Sequence, residues 1–139
     1  EWSEVMDFRP DIVVMELGTN DSKPANRGRI AALETDLRRM TASLKALDTK
    51  PEICLALPMK AWDNSEGIND SVITETIIPL MRRVAKKEKL RVTDLHTLFG
   101  SDRSLMQDDG IHPGRKGAEV MAGIVAEEIK RMKEDGKER

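Results

Sequence analysis

Two short apolar runs, Ile12-Val-Val-Met-Glu-Leu17 and Ile53-Cys-Leu-Ala-Leu57, flank a stretch in which Ile30, Leu33, Leu37, Met40, Leu44 and Leu47 recur at steps of three and four. Runs this continuous do not fit strands with one wet face. They read as strands buried on both faces of a parallel sheet, with Glu16 the one discordant residue. The spacing between them places its apolar side chains along one side of a helix, which Pro51 stops. The alternation then repeats. Val72 to Lys89 is helical in pattern, with Pro79 expected to kink it or mark a restart and Asp70 or Ser71 to cap it. Leu90 to Leu95 is a third strand candidate, interrupted by Arg91 and Asp94. Ala118, Met121, Val125, Ile129 and Met132 mark the inner face of a last helix, after which residues 133–139 form a charged tail expected to fray. Strand and helix in this order predict an α/β fold of three layers, α/β/α, with right-handed crossovers.

In such sheets ligands bind beyond the carboxyl ends of the strands. Three segments leave from those ends: the turn at residues 18–21, a loop at 58–70 rich in turn-forming residues, and a loop at 95–113. A chain of 139 residues suits one domain. Charged residues make up 35% of it with a net charge of -2, which lacks the basic excess that nucleic acid or anionic lipid attracts. Arg82, Arg83, Lys86, Lys87 and Lys89 are accordingly expected on a solvated outer face. No apolar run approaches the roughly 18 residues of a membrane span. No signal peptide precedes Glu1, but the chain starts without methionine and runs almost at once into a strand, so its natural N-terminus is expected to be missing and its compartment stays open. Cys54 is the only cysteine and reads as an inert buried thiol. Asp108, Asp109 and His112 make too thin a ligand set for a metal, and no glycine pattern cradles phosphate. No metal and no other cofactor is expected.

Two short motifs carry chemistry. In Gly18-Thr19-Asn20-Asp21, Gly18 permits a sharp turn and Asn20 offers an amide with two N–H donors, suited to an oxyanion. The plainer alternative is a strand-ending turn in which Asn20 and Asp21 bond only to their own backbone. In Asp109-Gly110-Ile111-His112, one turn brings a carboxylate to one imidazole nitrogen and leaves the other free, which orients a general base. Its plainer alternative is a surface Asp and His ahead of a helix. Asp108 is a second candidate orienter, and His96 reads as structural or solvent-facing.

Together the motifs resemble the SGNH or GDSL family of serine esterases and acylhydrolases. Gly18-Thr19-Asn20-Asp21 is similar to that family's third block and Asp109-Gly110-Ile111-His112-Pro113 to its fifth. The longer string Leu17 to Pro24 and the segment Ile77-Ile78-Pro79 are similar to bacterial acetylesterases of the sialate or xylan type. The resemblance implies a flavodoxin-like parallel sheet of order 2-1-3-4-5, of which strands 3 to 5 are present here. It implies hydrolysis of small acyl esters, acetyl groups on carbohydrates above all, without a cofactor. On that basis Asn20, with Gly18 shaping its turn, serves the oxyanion, His112 is the general base and later acid, and Asp109 orients it. Asp21 braces the loop, and Met59 and Trp62 line the substrate site. The family's Gly-Asp-Ser segment, which supplies the nucleophile, and its second-block glycine have no counterpart here. Gly100-Ser101-Asp102 has similar letters in another order and follows no matching strand signal. Residues 1–139 are therefore expected to be a single partial domain, inactive alone and inclined to self-associate through the edge of strand 12–17. Two other readings stand beside this one. One is a serine-free relative that binds glycans without cleaving them. The other is a flavodoxin-like interaction domain in which Asn20 and His112 lie far apart.

Overall fold

The computed structural model describes residues 2–64 and 66–137. Its sheet consists of β1 (Ile12–Glu16), β2 (Glu52–Ala56) and β3 (Arg91–Thr93), all parallel and in the spatial order β1-β2-β3. Ile12 lies opposite Glu52 and Glu16 opposite Ala56, while Cys54 to Ala56 face Arg91 to Thr93. Side chains alternate between the two faces of a strand, and each face here has its own core. Val13, Met15, Ile53, Leu55 and Val92 pack with Leu33, Leu37 and Leu44 of α2 (Ile30–Lys45) and Leu80, Met81 and Val84 of α4 (Ile78–Glu88). Val14 and Ala56 turn the other way, toward Met121, Ile124 and Val125 of α6 (Arg115–Lys137) and toward Leu95 and Phe99. The result is the three-layer parallel arrangement that the alternation predicts. Leu37, Leu44, Leu55 and Met81 are fully buried, and burial of each such side chain contributes about 1.5–3 kcal/mol.

Several local expectations are corrected. β1 ends at Glu16, and Leu17 is left 38% exposed in the turn that follows. The third strand is shorter than residues 90–95, because Asp94 leaves the ladder to cap the next element. Its Oδ1 accepts from the Thr97 N–H at 3.0 Å and starts α5 (Leu95–Leu98). Residues 133–137 do not fray but continue α6, since Arg91 of β3 bonds both Glu128 and Asp135 across the interface. Residues 138 and 139 lie outside the described residues. Ala118 is exposed, and Gly117 takes its place on the inner face, where a Cβ would collide with the Leu105 carbonyl.

The helix after the long loop is capped by Asn69 rather than by Asp70 or Ser71. Its Oδ1 accepts from the Val72 N–H at 3.0 Å and opens α3 (Asp70–Val72), whereas the Asp70 carboxylate is taken by the Ala61 N–H at 2.8 Å. Pro79 marks the expected restart, since α4 begins at Ile78 with Pro79 in its first turn. One π turn, Ile73–Ile77, in which the Ile78 N–H reaches back to the Ile73 carbonyl, widens the helix just before the residue that lacks a donor. A short helix α1 (Trp2–Phe8), outside the sequence expectation, lays Val5 and Met6 against the larger core. On the outer face of α4, Arg82 pairs with Asp94 and Lys87 with Glu34. Cys54 is buried 3.5 Å from the Thr93 hydroxyl, and burial pushes its thiol up. Among the described residues no helix is long and apolar enough to cross a membrane.

Candidate active site

Gly18 follows β1 at φ 103°, in the left-handed region that glycine favours, and a Cβ there would lie 2.7 Å from Cγ2 of Ile77. Conformation and close approach therefore demand the same residue, and Ile77 is the last residue of the π turn before Pro79. The chain then enters a 3-10 turn, Thr19–Ser22, in which the Asp21 N–H bonds the Gly18 carbonyl at 3.0 Å. This turn leaves Asn20 exposed, and among the described residues its side-chain amide has no hydrogen-bond partner. Of the plain turn only the Asp21 half forms: the Asp21 carboxylate bonds its own backbone N–H, whereas the Asn20 side chain does not bond its own. Asp21 is half-buried, and desolvation, with Asp36 nearby, raises its carboxyl above the ordinary value.

The second motif closes a compact turn. Oδ2 of Asp109 lies 2.7 Å from Nδ1 of His112, and Oδ1 accepts from the Ile111 and His112 N–H groups at 2.8 and 2.9 Å. The bond with His112 first, and then the two backbone donors, hold the Asp109 carboxyl down at about 2. An ionised carboxylate can only accept, so Nδ1 carries a proton, and in the neutral imidazole Nε2 then presents the lone pair. Among the described residues Nε2 has no partner. Gly110, at φ 72°, makes the turn possible; its carbonyl accepts the Trp62 N–H at 3.0 Å, and a Cβ there would crowd Asp63 and Trp62. Asp109, not Asp108, meets the imidazole, since its Oδ2 is the carboxylate oxygen bonded to Nδ1 of His112.

Both motifs open on one cavity of about 700 Å³, within the usual range for small-molecule sites. Gly18, Asn20, Asp21, Met59, Asp109 and His112 all lie on its wall. Trp62 does not: half-buried, it packs against the smaller core that α6 covers, with the Lys60 ammonium 5.8 Å from its ring centre, and it supports the His112 turn through its backbone. His96 sits on α5 with Nε2 buried, 3.6 Å from Oδ1 of Asp70. Among the described residues no serine lines the cavity, and no group of three or more His, Cys, Asp or Glu could hold a metal ion.

The sequence expectations missed Glu16. The discordant residue of β1 lines the cavity and its carboxylate accepts the Met59 N–H, while burial raises it above the ordinary value. The only signal was that a charge interrupts an otherwise apolar strand.

The model of the GDSL-like lipase/acylhydrolase family matches residues 1–120, a span that holds both motifs. The chain belongs to that family. It is 40% identical over 146 aligned residues to an acetylxylan esterase of Xylanibacter ruminicola, a match that covers 93% of this chain and 30% of the relative. It is 32% identical over 137 residues to the uncharacterized esterase YxiM of Bacillus subtilis, covering 88% of this chain and 34% of that one. The chain thus spans about a third of the length of the curated relatives it matches. Among solved structures, a lipase/acylhydrolase from Enterococcus faecalis superposes with a TM-score of 0.78 at 25% identity, over 93% of this chain and 66% of that one. The three parallel strands and their covering helices are those of a GDSL-type hydrolase sheet.

Proposed function

We propose that this chain is the part of a longer serine esterase that supplies the general base and the side-chain oxyanion donor for hydrolysis of small acyl esters, acetyl groups on carbohydrates foremost. One observation carries the reading: an Asp109–His112 pair at 2.7 Å and an uncommitted Asn20 amide share one cavity. In the proposed cycle, Nε2 of His112 takes the proton of a serine hydroxyl as that oxygen bonds to the ester carbonyl carbon. The carbonyl oxygen becomes an oxyanion and receives N–H bonds from Asn20, an interaction that typically contributes about 3–4 kcal/mol to such transition states. Collapse breaks the bond to the alcohol, which leaves with the proton from His112. Water, deprotonated by the same imidazole, then releases the acid and restores the serine. Asp109 stays ionised and stabilises the imidazolium throughout.

The serine belongs, on this reading, to a segment outside these residues that comes to lie beside β1. Among the described residues the outer edge of β1 has no strand partner, and the cavity opens next to it. The named activity of the 40% identical relative supports acetylated xylan as the class of substrate. A binding role without cleavage is the second reading, favoured by the lack of a serine on the cavity wall among the described residues. A fluorophosphonate probe, which labels activated serines, separates the two. It is expected to label the full-length parent protein and not the 139-residue chain. A full-length protein left unlabelled would support binding alone.

A further inference from the structure

Among the described residues Asn20 has no side-chain bond to hold it, so its direction depends on the backbone on either side. The carbonyl of Thr19, part of the peptide that enters Asn20, accepts from the Ser22 hydroxyl at 2.7 Å. The carbonyl of Asn20, part of the peptide that leaves it, accepts from Nδ2 of Asn26 at 2.8 Å and from the Lys23 N–H at 3.2 Å. Peptides are planar, so the orientations of the two that flank a residue fix its φ and ψ. Both backbone torsions of Asn20 are thus clamped, and only its side-chain rotamer is left free.

The clamp is anchored outside the turn. Ser22 is fully buried, and its oxygen also accepts the backbone N–H of Asn69 at 3.0 Å. Asn69 is the residue whose side chain caps α3. The hydroxyl therefore has both a donor and an acceptor partner, as a buried polar group requires. Asn26 acts from the opposite side, out of a second 3-10 turn, Pro24–Arg29. Neither residue lines the cavity, so neither is placed to touch a substrate.

We propose that Ser22 and Asn26 are positioning residues that hold the backbone on both sides of Asn20 and so aim its amide at the oxyanion. The catalytic consequence rests on the esterase reading above, whereas the clamp itself does not. An oxyanion donor works within about 2.7–3.1 Å of the oxygen, and a misplacement of about 1 Å costs on the order of a hundredfold in rate.

The experiment is a double-mutant cycle in the full-length parent protein, with Ser22→Ala, Asn26→Ala, Asn20→Ala and the two pairings with Asn20→Ala. Each positioning variant is expected to lower kcat by about 10- to 100-fold and to leave KM within about twofold, while Ser22→Thr, which keeps the hydroxyl, retains most of the rate. With Asn20→Ala already present, adding either change is expected to cost nothing more. Losses that add in full would overturn the proposal, because they would show effects that do not pass through Asn20. Should the full-length protein hydrolyse no ester, the esterase reading fails and the clamp is read by NMR on the same protein. The side-chain NH2 signals of Asn20 are then expected to shift or broaden in Asn26→Ala, the variant less exposed to folding failure, with the Leu37 and Leu55 amides unmoved. Asn20 signals unchanged in both Asn26→Ala and Ser22→Ala would overturn the clamp itself.

Discussion

Asp109 sits between one imidazole and two backbone donors, and those bonds decide how the pair responds to acid. Its carboxyl is held at about 2 against an ordinary value of 3.8, so between those limits the unfolded chain binds more protons than the folded one. The bonds therefore favour the folded turn above pH of about 4 and are lost as pH falls through about 2. The Asp109 carboxyl carbon, followed by NMR, is expected to titrate at about 2; titration near 4 would mean that the bonds to His112 and the turn do not form. This site was legible from spacing because all its partners lie within four residues. Gly18 was legible as a turn former for the same local reason. The contact with Ile77 that forbids any Cβ was not, since it depends on a helix 59 positions further along. The cap was misassigned for a related reason. Asn69, Asp70 and Ser71 are all capping types, and the choice among them turned on the Ala61 N–H claiming Asp70.

At the scale of elements, periodicity showed where helices and strands lie, and long-range polar contacts decided where they end. β3 stops when Asp94 turns to cap α5, and α6 runs on through its charged end because Arg91 bonds Glu128 and Asp135. Neither partner set can be read from a local window. Glu16 shows the cost side of the same principle. Burial raises its carboxyl above the ordinary 4.5, so the folded state favours the protonated form. Stability from that preference is present below the unfolded value and fades as pH rises through the folded one, leaving an unfavourable buried charge at neutral pH. Glu16→Gln keeps an oxygen for the Met59 N–H and removes the charge. It is expected to raise the melting temperature at pH 7 and to have little effect near pH 4; a lower melting temperature at pH 7 would show that the ionised form makes a favourable bond.

For the whole molecule, alternation of element types and right-handed crossovers left few ways to arrange the chain, and the sheet order β1-β2-β3 is one of them. Where the three loops converge follows from the same rule, because all leave the carboxyl ends of parallel strands. What pattern could not show was that the long loop serves as a brace. Asn69 meets Ser22, Ala61 meets Asp70 and Trp62 meets Gly110, so residues 58–70 tie the Asn20 turn to the His112 turn. Trp62 takes part through its backbone rather than by lining the cavity. The outer edge of β1, which has no strand partner among the described residues, is also a surface on which chains pair. In sedimentation velocity the 139-residue chain is expected to associate as its concentration rises, and a monomer at every concentration that unfolds in one cooperative transition would contradict this. The central claim is that His112 is the general base of an ester hydrolase, and its most direct test is kcat for an acetyl ester in the full-length protein and in its His112→Ala variant. A fall of about a thousandfold or more, with the fold intact by circular dichroism, is the expected result, and hydrolysis that continues at the original rate would contradict it.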